Sequence, residues 1–258
     1  MPGVIGHSCP RRALAVAVAT LCVLGGCGSR GEERASDLVV LGAASLTGVF
    51  REIGGAFESE RGWRVLTSFA GSQTLATQLR EGVRADVIAV ADPAVLADLG
   101  ARGLVDAPRS FATSRIVWVR RRAGAGPTPV EIVHAGGSLV LARPEVPAGA
   151  YARRALDALG LREAAEARLV SEELDVRGVI AKLRLAGADL GMVYATDISP
   201  ADPELEAVEL PSRARVVATY AAARVRESSR PGAAAAFVEF LETGAAREIL
   251  RRAGFGTP

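Results

Sequence analysis

An α/β fold is what this sequence predicts, with a largely parallel sheet, and three observations carry the prediction. Strand-like and helix-like stretches alternate regularly from residue 37 onward. The strand candidates LVVL and DVIAV are near-continuous apolar runs, as strands covered on both faces are. The 258 residues, 49% of them hydrophobic, hold enough material for one large or two modest domains. No repeat of fixed period is present, which argues against a solenoid.

The N-terminus stands apart from this alternation. Arg11 and Arg12 precede the apolar run ALAVAVATLCVL, and Gly25, Gly26 and Cys27 come after it. That is the layout of an export signal, and the run is shorter than the ~20 residues of a spanning helix. Leu24-Gly25-Gly26-Cys27 resembles a bacterial lipobox, which predicts a lipoprotein signal peptide over 1–26 with lipidation at Cys27; an ordinary secretory peptide is the alternative. Residues 27–36 are small and charged, as a tether is.

The fold begins near Asp37. LVVLGA reads as a strand, and it passes directly into SLTGVFREIGGAFESER, where Leu46, Val49, Phe50, Ile53 and Phe57 lie at helical spacing. WRVLTSFA, SQTLATQLREG, ADVIAVA and DPAVLADLGARG continue the alternation. After a loop, DAPRSFATS, a second unit reads as strands IVWVRR, SLVLA, ARLVS and DLGMVYA with helices GAYARRALDALG and DVRGVIAKLRLAG. The tail adds the strand RVVATYAAARV and two helices, PGAAAAFVEFLET and AAREILRRAG. A terminal helix pair without its own sheet is expected to pack back on the first unit, making that unit discontinuous: 37–114 with 215–258 as lobe 1, and 115–214 as lobe 2.

Composition excludes several functions. Without Arg11 and Arg12 the 31 basic residues fall to 29, equal to the 29 acidic ones, so nucleic acid finds no basic footprint. Arg120, Arg121 and Arg122 read as a solvated strand end. Cys9 and Cys22 lie in the leader and His134 is the one histidine beyond it, which leaves no disulfide, no Cys/His zinc site and no Cys/His dyad. His134 itself reads as a polar residue at a helix end.

In open α/β sheets, ligands gather where strands end and helix N-termini point free N–H groups outward. Ala43-Ala44-Ser45-Leu46-Thr47 and Phe69-Ala70-Gly71-Ser72-Gln73-Thr74 each put a serine at such a start, flanked by small residues. Serine is a preferred N-cap, so capping alone explains either one; two in successive units point to a site. Pro144 to Tyr151 and Glu172 to Arg177 form two further junctions. Glu172, Glu173 and Asp175 suit acid/base chemistry or, more simply, a helix dipole. Tyr194 ends its strand within reach of the same crevice, or packs as a buried-edge aromatic.

Six stretches carry a resemblance: AASLT at 43–47, SFAGSQTLATQL at 68–79, ADVIAVAD at 85–92, PEVPAGAYARRAL at 144–156, LDVRGVIAKL at 174–183 and GMVYATD at 191–197. In order and spacing, the chain from about 37 to 258 resembles the substrate-binding proteins of bacterial molybdate ABC transporters. The resemblance implies a two-lobed type II periplasmic binding protein fold, two α/β domains joined by a two-strand hinge. It implies a tetrahedral oxyanion held by neutral donors: Ser45 and Ser72 through hydroxyl and backbone, Ala148 and Val176 through N–H, Tyr194 through its phenol. Gly71 and Gln73 depart from the pattern, since serine is common on either side of the binding serine.

The same resemblance implies a non-enzymatic carrier without a cofactor. Its ligand is molybdate or tungstate, seen by the protein only as an oxyanion, with no direct protein–metal ligand. Its partners are the permease subunits of the transporter, and a monomer is expected, on the membrane only through its lipid, facing the periplasm or cell exterior. Lobe closure would complete the ion's coordination. The alternatives are another oxyanion such as sulfate, or an exported enzyme using Glu172 with Glu173 or Asp175.

Overall fold

Residues 37–122 and 126–258 are described by the computed structural model; the segments read as signal peptide and tether, with Cys27, lie outside the described residues. Among the described residues nine strands form one mixed sheet: β1 (Asp37–Ala43), β2 (Arg64–Ala70), β3 (Val87–Val90), β4 (Arg109–Arg121), β5 (Leu139–Ala142), β6 (Leu169–Glu173), β7 (Leu190–Tyr194), β8 (Leu205–Val208) and β9 (Val217–Arg224). The helices are α1 (Thr47–Arg61), α2 (Ser72–Arg80), α3 (Pro93–Ala101), α4 (Pro129–His134), α5 (Pro147–Leu159), α6 (Arg162–Glu166), α7 (Val176–Arg184), α8 (Pro231–Phe240) and α9 (Gly244–Arg252).

The strand order is β2-β1-β3-β9-β4-β7-β5-β6, with β8 added on β4. Both outer parts are parallel: β2, β1 and β3 on one side, β7, β5 and β6 on the other. The middle is antiparallel, because β9 runs against β3 and β4, and β4 against β7 and β8. The sheet is therefore not largely parallel: the two strands that link its halves return against the others.

β4 also corrects the reading of DAPRSFATS as a loop. Arg109 to Arg115 pair with β9, and from Ile116 the same strand pairs with β7. Sheet pairing with a strand a hundred residues later overrides the turn-like composition of this stretch. The chain returns between β8 and β9, where Ile116 N–H donates to Val216 O at 3.0 Å.

Burial of aromatic rings locates the core of the first half. The Phe57 ring meets Phe237 edge-on at 5.1 Å and Phe240 at 5.3 Å, and Phe50 meets Phe237 at 6.1 Å. Each such ring contributes roughly 1.5–3 kcal/mol on burial. They hold α8 against α1, and the Arg252–Glu52 ion pair ties α9 to α1.

In the second half, α5 is seated by a buried guanidinium. Arg153, 5% exposed, donates from Nη1 to Ala142 O at 2.8 Å, from Nε to Glu166 at 2.9 Å and from Nη2 to Glu172 at 2.5 Å. A buried charge is tolerated when its donors are satisfied in this way. Gly149 lets the helix start sit this close to β5: an added Cβ would lie 2.0 Å from Arg143 O and 2.3 Å from Ala142 O.

Candidate functional site

Four helical segments begin around one small cavity. The 3₁₀ turn Ala44–Leu46 leads into α1 after β1, α2 follows β2, α5 follows β5 and α7 follows β6. Ser45, Ser72, Ala148, Val176 and Tyr194 all line this cavity, so the structure brings together all five residues singled out in the sequence. Its volume is about 20 Å³. Sites for drug-sized organic ligands run to about 300 Å³ or more, so this one suits a compact ion.

Neither serine acts as a helix cap, contrary to expectation. Ser45 lies inside the 3₁₀ turn, which has no side-chain cap, and Ser72 is the first residue of α2, whose cap position is Gly71. Both hydroxyls instead accept from behind: Tyr220 Oη donates to Ser45 Oγ at 3.1 Å, and Ala91 N–H donates to Ser72 Oγ at 3.2 Å. An N–H can only donate, so the Ser72 proton must point elsewhere. Both serines line the cavity, so their free protons have an outlet there.

Main-chain donors form the opposite wall. Asp175 caps α7, accepting Arg177 N–H at 2.8 Å and Gly178 N–H at 3.1 Å on Oδ1. Val176 N–H, the first of that turn, has no intrahelical acceptor and stays outside the cap. Ala148 is the second residue of α5, after Pro147 in the first position, and α5 has no side-chain cap. Pro147 has no N–H to lose and its fixed φ suits the position.

Tyr194 completes the set. It is 2% exposed, and its hydroxyl is buried without a hydrogen-bond partner. An unsatisfied buried hydroxyl costs about 1–3 kcal/mol, a cost that a ligand accepting from it would remove. Burial drives its pKa well above the usual phenol value, so it stays protonated and able to donate. Its ring rests edge-on against Tyr220 at 5.6 Å. Its N–H donates to Asp197 Oδ2 at 3.1 Å, and desolvation pushes that carboxyl up to about 7.

Among the described residues lining the cavity, Asp175 is the one ionisable acid and there is no lysine, arginine or histidine. Positive potential therefore comes from helix N-termini, each worth roughly half a charge. The acidic cluster does not line the cavity as a unit. Glu172 and Glu173 end β6 rather than opening α7, so they are not helix-dipole partners. Glu172 pairs with Arg153, and Glu173 accepts from Ser171 Oγ at 2.6 Å. Among the described residues no group of three or more His, Cys, Asp and Glu side chains is placed to hold a metal ion.

The sequence assigns no role to Tyr220, to Arg177 or to Tyr151 at the flank of the site. Tyr220 lies 175 residues from Ser45 and reaches it only because β9 joins the sheet. Arg177 Nε donates to Ala44 O at 3.1 Å from the far wall. Tyr151 faces Asp92, and burial together with that carboxylate pushes its phenol up to about 12. Only Tyr220 carries a signal, the single aromatic in the strand RVVATYAAARV, and that signal names no partner.

The sequence model for bacterial extracellular solute-binding proteins matches residues 38–256. The molybdate-binding protein ModA of Mycobacterium tuberculosis is 37% identical over 230 residues, covering 87% of this chain and 86% of that protein. ModA of Escherichia coli is 31% identical, covering 84% and 88%. The periplasmic molybdate-binding protein of Azotobacter vinelandii superposes with a TM-score of 0.77 at 21% identity over 86% of this chain and 99% of its own. The M. tuberculosis sulfate-binding protein SubI, at 18% identity and a TM-score of 0.75 over 86% and 87%, shares the fold. That fold is the type II periplasmic binding protein architecture. By sequence and by fold, the chain belongs to the family of bacterial extracellular solute-binding proteins that includes the ModA molybdate-binding proteins.

Proposed function

We propose that this protein captures molybdate, and tungstate as its close analogue, outside the cytoplasm and delivers it to the permease of an ABC transporter. The observation that carries the reading is the buried Tyr194 hydroxyl without a partner, set in a cavity lined by donors and free of basic side chains. Relatives named molybdate-binding proteins at up to 37% identity support the choice of ion.

In this reading Ser45 and Ser72 donate from one lobe (37–114 with 215–258), and Ala148, Val176 and Tyr194 donate from the other (115–214). Neither lobe completes the coordination alone, so the ion selects the closed arrangement and the permease reads that closure. The protein acts as a monomer. Cys27 bears the lipid that keeps it at the membrane; one acyl chain anchors weakly, so the several chains of a bacterial lipoprotein matter here.

Thermal unfolding with molybdate, tungstate, sulfate and phosphate tests the reading. A ligand at 100 times its dissociation constant should add about 2.7 kcal/mol to stability. The expected order places molybdate and tungstate well above sulfate and phosphate. A shift with sulfate and none with molybdate or tungstate overturns it. An exported enzyme is the remaining reading; recovery of the bound anion chemically unchanged after incubation removes it.

A further inference from the structure

Arg177 occupies an unusual place between the two walls of the cavity. Its main-chain N–H is held by the Asp175 cap, directly after Val176, whose own N–H is left for the cavity. Its side chain crosses to the opposite wall, where Nε donates to Ala44 O at 3.1 Å across 133 residues of sequence. The Ala44 carbonyl and the Ser45 N–H belong to one peptide unit. Thr47 Oγ1 donates to the same carbonyl at 2.7 Å. A charged donor on the carbonyl draws electron density from the amide and strengthens its N–H as a donor, by about 10–30% per bond.

A second close approach lies beside this one. An added Cβ on Gly71 would lie 2.3 Å from Leu174 O, so only glycine lets the β6–α7 loop come so near the start of α2. That approach brings α7 to the distance at which Arg177 reaches Ala44.

We infer that Arg177 is a positioning residue for the oxyanion: it couples closure of the two walls to the donor strength of the Ser45 peptide. The inference rests on the proposed binding of a tetrahedral oxyanion at this cavity. Arg177 does not line the cavity. Its positive charge acts one peptide away from the ion, which keeps the lining free of basic side chains while one side chain holds Ser45 and Val176 in register. In the open arrangement the bond to Ala44 O is broken and the guanidinium is hydrated, so the contribution exists only when closed. The residue therefore acts mainly on release of the ion rather than on its capture.

The test is stopped-flow and equilibrium binding of molybdate to wild type, Arg177→Ala, Arg177→Gln and Arg177→Lys, with thermal melting of each ligand-free protein. Arg177→Ala should release molybdate about 10–100-fold faster, with a nearly unchanged association rate and an unchanged ligand-free melting temperature. Arg177→Gln, which can donate without charge, and Arg177→Lys, which keeps charge without the planar fork, should fall between alanine and wild type. Wild-type release rates in Arg177→Ala overturn the inference, as does a loss confined to the ligand-free melt, which assigns Arg177 to packing alone. Failure of the wild type itself to bind molybdate or tungstate would instead count against the proposed function.

Discussion

Ser45 and Ser72, on the wall built by β1, β2 and β3, present hydroxyls that accept a hydrogen bond from behind. Ala148 and Val176, on the wall built by β5 and β6, present main-chain N–H groups at helix starts. The first wall depends on side chains oriented by partners distant in sequence. The second depends on local helix geometry and an Asp175 cap that takes two N–H groups and leaves the first. Substitutions on the first wall should therefore disturb partners far away, whereas on the second wall a donor can be removed without disturbing the fold.

The largest expected effect breaks the second wall at its seat. Gly149→Ala places a Cβ against two backbone carbonyls that cannot turn aside. Displacing α5 should cost about 1–3 kcal/mol or more and abolish molybdate binding, read by chemical denaturation and calorimetry. A folded, wild-type binder would show that α5 has slack the structure does not display.

Ser72→Ala breaks the first wall. It removes a donor and orphans the buried Ala91 N–H, so stability should fall by about 1–3 kcal/mol together with affinity. Val176→Pro is the matching change on the second wall. Proline fits the first helical position, and the extended Asp175 before it (φ −163, ψ 177) accommodates its ring. Affinity should fall about tenfold through the lost N–H while the melting temperature holds within a few degrees. Equal loss of stability in both variants would erase the contrast between the walls.

Tyr194→Phe sharpens the comparison, because its hydroxyl has no partner on either wall. Molybdate affinity should drop by roughly 1–3 kcal/mol, while the ligand-free protein keeps or gains stability as an unsatisfied buried hydroxyl disappears. A less stable ligand-free variant would mean that the phenol is satisfied within the fold. Behind this residue the expected effect is on pH dependence. Asp197 titrates at about 7 in the fold against 3.8 as a free side chain, so the fold favours its protonated form. Its stabilising contribution is full below about pH 4 and is lost as pH rises to 7, and Asp197→Asn should flatten that part of the stability profile, read as melting temperature against pH.

Legibility in the sequence varies by element. The helix starts at Ser72, Pro147 and Val176 come from local punctuation: a glycine, a proline and a capping aspartate that act within a few residues. α4, α6 and β8 are hidden because four to six residues carry too little periodicity to register. β4 is half hidden because Arg109 to Ser114 look like a loop until β9 arrives to pair with them. The roles of the two serines are obscured for the same reason. A serine before a helical pattern looks like a cap, and nothing nearby announces Ala91 or Tyr220 as the donor that occupies its oxygen.

The sequence by itself determined the alternation of elements, the small residues at four strand-to-helix junctions, and the scarcity of cysteine and histidine, because each is a property of neighbouring residues or of composition. Only the tertiary structure decided that five residues spread from Ser45 to Tyr194 share one cavity, that both serine protons are left to donate, and that Arg177 reaches across to Ala44. Those facts depend on which strands lie side by side, and that order is set by burial across the whole sheet rather than by any local pattern.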